Sequence, residues 1–513
     1  MVYHSMAPSR GFEMDDLYKE LCEKATELMD IGSAAAVLGW DQQVNMPPGG
    51  AEARGRQIGT LAKIAHETLI NPRIGVLLEK LAPFEAEKGY GSKEASIIRL
   101  ARREYDKAVK VPPEFTGRMS VAQSECFDIW LKARPANDFA MVRPSLENVF
   151  GLCAEYSDFF PGYEHPMDPL IDNNDYGMKA SDIRSIFGEL RKQLVPMVDA
   201  IDSQEPADDT FLRKNFDADK QIVFGKSVVE KYGYDFNRGR QDIAPHPFTI
   251  SFSVGDVRIT TRVRPNFLGS ALFGTLHEAG HAMYEQGSAT ELDGTPVRGG
   301  TSIGVHESQS RLWENIVGRS RPFWQHYYPG LQGDFPEQLG AVPLDKFYRG
   351  INKVQKSLIR VEADEVTYNL HVMLRFDFEC DLLTGKLKTS ELPDAWNDRM
   401  EADIGLRPST DSDGVMQDIH WYNSIVGYFQ GYTLGNIMSA QFYDAAVMTH
   451  PEIPEQIGQG EFATLHAWLK ENIYRHGRKY TASELLERAT GSSLEIGPYM
   501  KYLKTKYGEL YVL

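Results

Sequence analysis

The chain has 513 residues, 42% of them apolar, and a formal net charge of -17 at pH 7. That length and apolar share suffice for a large buried core and leave room for two or three domains. The acidic balance excludes nucleic acid as the main partner, because phosphate binding needs a basic face. No apolar run approaches a membrane span and the first 12 residues lack the apolar centre of a secretory signal, so a cytoplasmic location is expected. Cys22, Cys126, Cys153 and Cys380 are scattered without metal-type spacing and are expected to be reduced core residues.

In chain order, Leu17, Leu21, Ala25, Leu28 and Met29 recur at helical spacing. This predicts helix from Met14 to His66 with one interruption at Met46-Pro47-Pro48-Gly49-Gly50 and a restart near Ala51. Further helices are expected over 93–109, 113–133, 144–159 and 181–202. Short Pro, Gly and Asn breaks separate them. No repeat, low-complexity tract or linker interrupts the series, which favours one continuous α-rich body.

His246 to Val254 alternates apolar and polar residues, turns at Gly255-Asp256 and resumes from Val257 to Val263, which predicts a β-hairpin. A helix follows, with Phe267, Leu268, Ala271, Leu272 and Leu276 as its apolar positions and Gly287 as its stop. It carries His277-Glu278-Ala279-Gly280-His281. Two histidines four apart on a helix lie roughly 40° apart around the axis and one turn apart along it, so both rings reach one ion. Glu278 then stands beside that ion, where it can take the proton of a bound water. Zn²⁺ accepts imidazole nitrogen, and a catalytic site needs three protein ligands with one position open. The third candidate is Glu307, on a second expected helix from Gly304 to Asn315 that follows the hinge-like Gly299-Gly300. The hairpin has two readings: a strand edge that binds an extended peptide through its main chain, or a purely structural element.

A long helix is expected from Lys353 to Leu383. Arg360 and Asp364 stand four apart on it, as a surface ion pair or, alternatively, with Arg360 as a bidentate clamp for a carboxylate. After a proline-containing loop over 407–413, His420, Tyr428 and Tyr432 fall within little more than a dozen residues and suit the polarisation of an oxyanion. The remainder reads as helices with a break at Ala489-Thr490-Gly491.

Several motifs stand in sequence: His246-Pro247-Phe248, Asp256-x-Arg258-x-Thr260, the His277 to His281 pair and His306-Glu307-Ser308-Gln309. Ile359-Arg360-x-x-Ala363-Asp364 and Gly414-x-x-Gln417-Asp418-x-His420-Trp421 complete the order. With Trp40-Asp41 and Met46-Pro47-Pro48 near the start, the chain from about Leu17 onward resembles the zinc-dependent carboxypeptidases typified by carboxypeptidase Taq. Gln430 stands where that family usually has proline, a difference in loop stiffness. The resemblance implies a mostly α, saddle-like, gluzincin-type fold. It would be a single large helical domain over 1–513 with a deep substrate groove, lid-like N-terminal helices over 12–70, catalytic segments over 246–435 and a short sheet beside the site.

It also implies a homodimer that binds one Zn²⁺, or Co²⁺ in some members, per subunit. The expected activity is removal of single C-terminal residues from peptides with broad preference and poor use of proline. Carried over by position, His277, His281 and Glu307 are the expected metal ligands and Glu278 the general base. Tyr432 or His420 would meet the developing oxyanion. Arg360 is the first choice for holding the substrate carboxylate and Arg258 the second, with Tyr428 and His246 as further substrate-binding residues. The alternatives are an oligopeptidase or dipeptidyl carboxypeptidase on a similar groove, and a silent scaffold whose metal is structural. An intact Glu278 argues against the last, since a closed structural site has no use for a base.

Overall fold

The computed structural model describes residues 10–511, with side chains from Met14 onward. Helix α1 (Arg10–Val44) ends ahead of Pro47 and Pro48, which lack the amide hydrogens a helix needs, and a 3-10 turn (Pro48–Gly50) leads into α2 (Ala51–Leu69), packed back along α1. Next comes α3 (Pro72–Glu87), absent from the sequence reading. Asn71 caps it by accepting from the Arg73 amide, and Leu77, Leu78 and Leu81 are buried in a cluster with Leu21 of α1.

The helices α4 (Lys93–Lys110), α5 (Pro113–Ala136) and α6 (Phe139–Asp158) follow. Pro144 suggested a helix start, yet α6 begins earlier because the Asp138 side chain accepts from the Met141 amide. Then come α7 (Asp168–Asn174), α8 (Ala180–Asp202) and α9 (Ala218–Tyr232).

The expected hairpin forms, as β2 (Thr249–Ser253) and β3 (Asp256–Thr261), with a register shift between Ser251 and Ser253. A strand missed in the sequence, β1 (Gln241–Ile243), pairs parallel to β3 and gives the order β1-β3-β2. Its three residues are too few to show alternation. The outer edge of β2 faces α1, where Ser33 Oγ donates to the Phe252 carbonyl at 2.8 Å. Part of that edge is therefore occupied by the chain itself.

Helix α10 (Leu268–Gly287) packs against β3, α9 and α11 (Ile303–Arg311), burying Leu272, Leu276, Ala279 and Met283. Past α11 the chain widens into a π-helical turn (Leu312–Val317) and not the plain α-helix expected to Asn315. Next are α12 (Arg321–Asp334), α13 (Pro336–Leu339) and α14 (Leu344–Ile351). The long helix expected from Lys353 does not form: residues 353–359 are irregular, 360–362 make a 3-10 turn, and α15 spans Tyr368–Leu383. Asp364 is the cause, since its carboxylate accepts from the amides of Gln355, Val366 and Thr367 and so closes a turn where the helix would run.

After α16 (Leu392–Ile404) an irregular stretch carries His420 to α17 (Gln430–Thr449). The chain ends in α18 (Ile453–Gly458), α19 (Ala463–Asn472), α20 (Ala482–Thr490) and α21 (Gly497–Tyr511), with Gly491 at φ +78° ending α20 as expected. The fold is mostly helical with one small sheet. Cys126, Cys153 and Cys380 are buried, Cys22 is half-buried, and all four thiols are free.

Two glycines set where α11 lies. A Cβ at Gly280 of α10 would come 2.5 Å from the Gln309 carbonyl, and one at Gly435 of α17 would come 2.6 Å from Glu307 Cβ. Only hydrogen at both positions lets α11 sit wedged between α10 and α17.

Candidate metal centre

On α10 and α11 three groups converge. Glu307 Oε2 lies 3.7 Å from His277 Nε2 and 3.4 Å from His281 Nε2, and the three ligand atoms all fall within 4.8 Å of one another. The opposite ring nitrogens are engaged elsewhere. His277 Nδ1 is 2.9 Å from Glu314 Oε2, and an ionised carboxylate only accepts, so His277 carries its hydrogen on Nδ1 and its lone pair on Nε2. His281 Nδ1 is 2.8 Å from His306 Nδ1, and His306 Nε2 is 2.8 Å from Glu285 Oε1. By the same logic Glu285 takes the His306 Nε2 hydrogen, His306 Nδ1 accepts from His281, and the Nε2 lone pair of His281 also turns inward. Two imidazole nitrogens and a carboxylate oxygen fit a divalent cation in the zinc class.

Burial alone would raise the pKa of Glu307, but Arg311, His277 and His281 hold it well below the usual carboxylate range. Arg311 Nε donates to Glu307 Oε1 at 2.7 Å, and its Nη1 donates to Glu314 Oε2 at 3.2 Å, so one guanidinium ties both carboxylates. Burial, aided by His306 and His277, lowers His281 to about 4 against the pull of Glu307, leaving a neutral donor. Glu278, also buried, moves the other way: desolvation raises it above an ordinary glutamate, which suits a group that must take up a proton. Its Oε2 accepts from Thr249 Oγ1 at 2.7 Å, so the edge strand orients it.

Facing these ligands are the aromatic residues of the 420–432 stretch. His420 Nε2 lies 3.3 Å from Tyr432 Oη, and the Tyr428 and Tyr432 rings are 5.5 Å apart. Burial lowers His420 to about 4 and, with help from the Glu307 charge, raises Tyr428 to about 12. Both therefore stand neutral near pH 7, as hydrogen-bond groups and not as charges. Glu379 secures the stretch from behind by accepting from Trp421 Nε1 at 2.8 Å and the Gly427 amide at 3.1 Å.

The two arginines chosen from sequence as carboxylate clamps are committed elsewhere. Arg360 is 5% exposed, and its Nε and Nη2 donate to Asp418 at 3.1 and 2.8 Å while Nη1 donates to Tyr368 Oη at 2.7 Å. The expected pair with Asp364 does not form. Arg258 is bidentate to Asp256 at 2.8 and 2.7 Å and stacks on Trp40, its centre 4.4 Å from the ring. His246 is differently placed, on the wall of a cavity of about 940 Å³ with Gly274, Arg311, Glu314 and Tyr368. Gly274 precedes His277 by nearly one helical turn, so this cavity adjoins the ligands on the N-terminal side of α10. A smaller one, about 390 Å³, lies on the other side, lined by Thr249, Ser302 and His306.

Sequence reasoning missed Glu314, Arg311, Glu285 and the support role of His306. A signal existed for two of them: Glu314 lies two turns past Glu307, and Glu285 one turn past His281, on the ligand faces.

A family model described as carboxypeptidase Taq (M32) metallopeptidase matches residues 20–507. Thermostable carboxypeptidase 1 of Thermus thermophilus is 38% identical over 504 residues, covering 96% of this chain and 99% of the relative. Carboxypeptidase 1 of Bacillus subtilis is 33% identical, covering 98% and 100%. Among solved structures, the M32 carboxypeptidase of Deinococcus radiodurans superposes with a TM-score of 0.94 at 45% identity, covering 97% of this chain and 100% of that one. The apo-Mg carboxypeptidase of Pyrococcus furiosus gives 0.93 at 35%, covering 96% and 99%.

Proposed function

This chain belongs to the carboxypeptidase Taq (M32) family of metallopeptidases and is a metal-dependent carboxypeptidase acting on peptides, and from that premise we propose how its residues share the work. His277, His281 and Glu307 hold one zinc ion per subunit, and the observation that carries this assignment is the convergence of their three lone pairs. When bound there, zinc supplies Lewis acidity, which lowers the pKa of water toward about 7 and polarises a carbonyl.

Glu278, raised by burial and oriented by Thr249, takes a proton from the attacking water and passes it to the leaving amine. Tyr432, with His420 at its hydroxyl, donates to the oxygen of the scissile carbonyl as charge builds there, and Tyr428 assists in holding the substrate. His246 contributes to the cavity beside the ligands, which receives the C-terminal residue. Single residues leave in turn, with broad side-chain preference.

The chain acts as one catalytic domain, with residues 12–70 as a lid over the 246–435 core. The seating of Ser33 on β2 and of Trp40 under Arg258 supports that arrangement. The enzyme works as a homodimer in the cytoplasm. Among the described residues no helix is long and apolar enough to cross a membrane.

The test is a time course on a peptide of mixed sequence, with and without chelator, followed by mass, beside the Glu278→Gln variant. Single-residue steps that chelator stops are expected. The variant should keep its metal and lose about 100- to 10,000-fold in turnover. Release of two-residue fragments, or substantial hydrolysis by metal-loaded Glu278→Gln, refutes the assignment.

A further inference from the structure

A carboxypeptidase needs a cation to receive a carboxylate, and the charges around the large cavity are mostly used up. Of its acids, Asp209 is held by Lys353 and Arg213. Glu314 is held by Arg311 and Arg319, and Glu365 by Lys506. Asp364 is spent on backbone amides, and Glu362, the fifth acid, is exposed and has no cation within 4.0 Å among the described residues. The same pairs account for the cations Lys353, Arg213, Arg311 and Arg319.

Arg262 and Arg264 are left over. Both line the cavity and are half-buried, and among the described residues no carboxylate oxygen comes within 4.0 Å of either guanidinium. They stand two apart in the irregular segment just past the end of β3, and both contribute to the cavity wall. Val263 between them is absent from the cavity wall. Pro247 and His246 lie on the same wall, and Gly274 and Glu314 connect it to His277.

We propose that Arg262 and Arg264 form the subsite that receives a carboxylate of the substrate's C-terminal residue, deepening the function proposed above and resting on it. A guanidinium presents its hydrogens as a fork matched to two carboxylate oxygens. Two unneutralised forks on a partly desolvated wall bind an anion far better than Arg360, whose fork Asp418 already fills. The carboxylate comes from one of two sources, the peptide's main-chain terminus or an acidic terminal side chain.

The test measures binding to metal-loaded Glu278→Gln protein by calorimetry, so that no turnover is required. The probes are acetyl-Ala-Ala-Phe, its C-terminal amide, acetyl-Ala-Ala-Glu and acetyl-Ala-Ala-Gln. Each is titrated into protein with Arg262 and Arg264 intact, both changed to Gln, and both changed to Lys.

The Gln pair should lose about 10- to 100-fold in preference for a carboxylate probe over its amide, the range for charge-assisted hydrogen bonds. The Lys pair should keep part of it. Loss confined to the Phe acid and amide identifies the main-chain carboxylate, and loss confined to the Glu and Gln probes identifies the side chain. All ratios unchanged in a Gln pair with wild-type metal content and melting temperature overturn the proposal. A failed base assignment shows instead as hydrolysis during the titration.

Discussion

Gly280→Ala probes how tightly the metal ligands are set. The added Cβ would stand 2.5 Å from the Gln309 carbonyl oxygen and 2.7 Å from Ser310 Cα, where ordinary contact begins at 3.4 Å. Relief therefore needs about 3.4 - 2.5 = 0.9 Å of separation between α10 and α11. Both neighbours are backbone, so no side chain can swing away. Glu307 lies two residues from Gln309, and its oxygen moves with the helix. Metal-ligand distances tolerate about 0.2 Å, so a shift several times larger should cost at least about 10- to 100-fold in metal affinity.

Global stability should change less. Overpacking costs about 1–3 kcal/mol, and replacing a helical glycine by alanine returns roughly 1 kcal/mol. The assay is competition for zinc against a chelator of known affinity, beside thermal melting in excess chelator. Gly274→Ala is the control on the same helix, since its Cβ meets only Pro247 Cγ at 3.8 Å. If Gly280→Ala holds metal within twofold of wild type, the reasoning from close packing to ligand geometry is wrong.

Glu285→Ala removes the acceptor that fixes His306 and, through it, the His281 tautomer, so zinc affinity in the same competition should fall about 10- to 100-fold; an unchanged affinity removes the relay from the ligand support. Tyr432→Phe should lower kcat about 100- to 1000-fold with KM little altered, and steady-state kinetics showing the loss in KM alone would make it a substrate-binding group. Burial raises Glu379 from 4.5 to about 8, so the folded protein keeps a proton there that the unfolded chain sheds above about pH 4.5. That contribution to stability is whole below pH 4.5 and lost as pH rises through 8. Denaturant unfolding of Glu379→Gln between pH 5 and 8 should therefore decline less steeply than wild type, and parallel declines refute it.

The parts that could be read from sequence were local ones. The spacing of His277 and His281, the apolar face of α10 and the proline break before α2 are each decided within a turn or two of chain, where helical geometry converts spacing directly into direction. The resemblance supplied the rest of the expected order. Spacing misled at Arg360: its partner is Asp418, 58 residues on, and Asp364 serves backbone amides instead. Arg258 likewise reads as free in sequence and is taken by Asp256 and Trp40. Whether a cation is available for substrate depends on which acids the tertiary fold brings beside it, and no local pattern records that.

The same dependence explains why so many charges surround the ligands. Four carboxylates belong to the hydrogen-bonded set or flank it, Glu307, Glu314, Glu285 and Glu278, and two guanidiniums join them, Arg311 and Arg319. With the four carboxylates ionised and the imidazoles unprotonated, the state in which the ligand lone pairs are open to a cation, the set carries a charge of 2 - 4 = -2. A divalent cation balances that sum. Arg311 is the hinge of this balance, because it pairs with Glu307 on the oxygen facing away from the histidines, while Oε2, which also accepts from Ser310 Oγ at 3.1 Å, stays turned toward them. Ligand strength and the base role proposed for Glu278 thus depend on one distribution of buried charge, and a substitution at Arg311 would disturb both together.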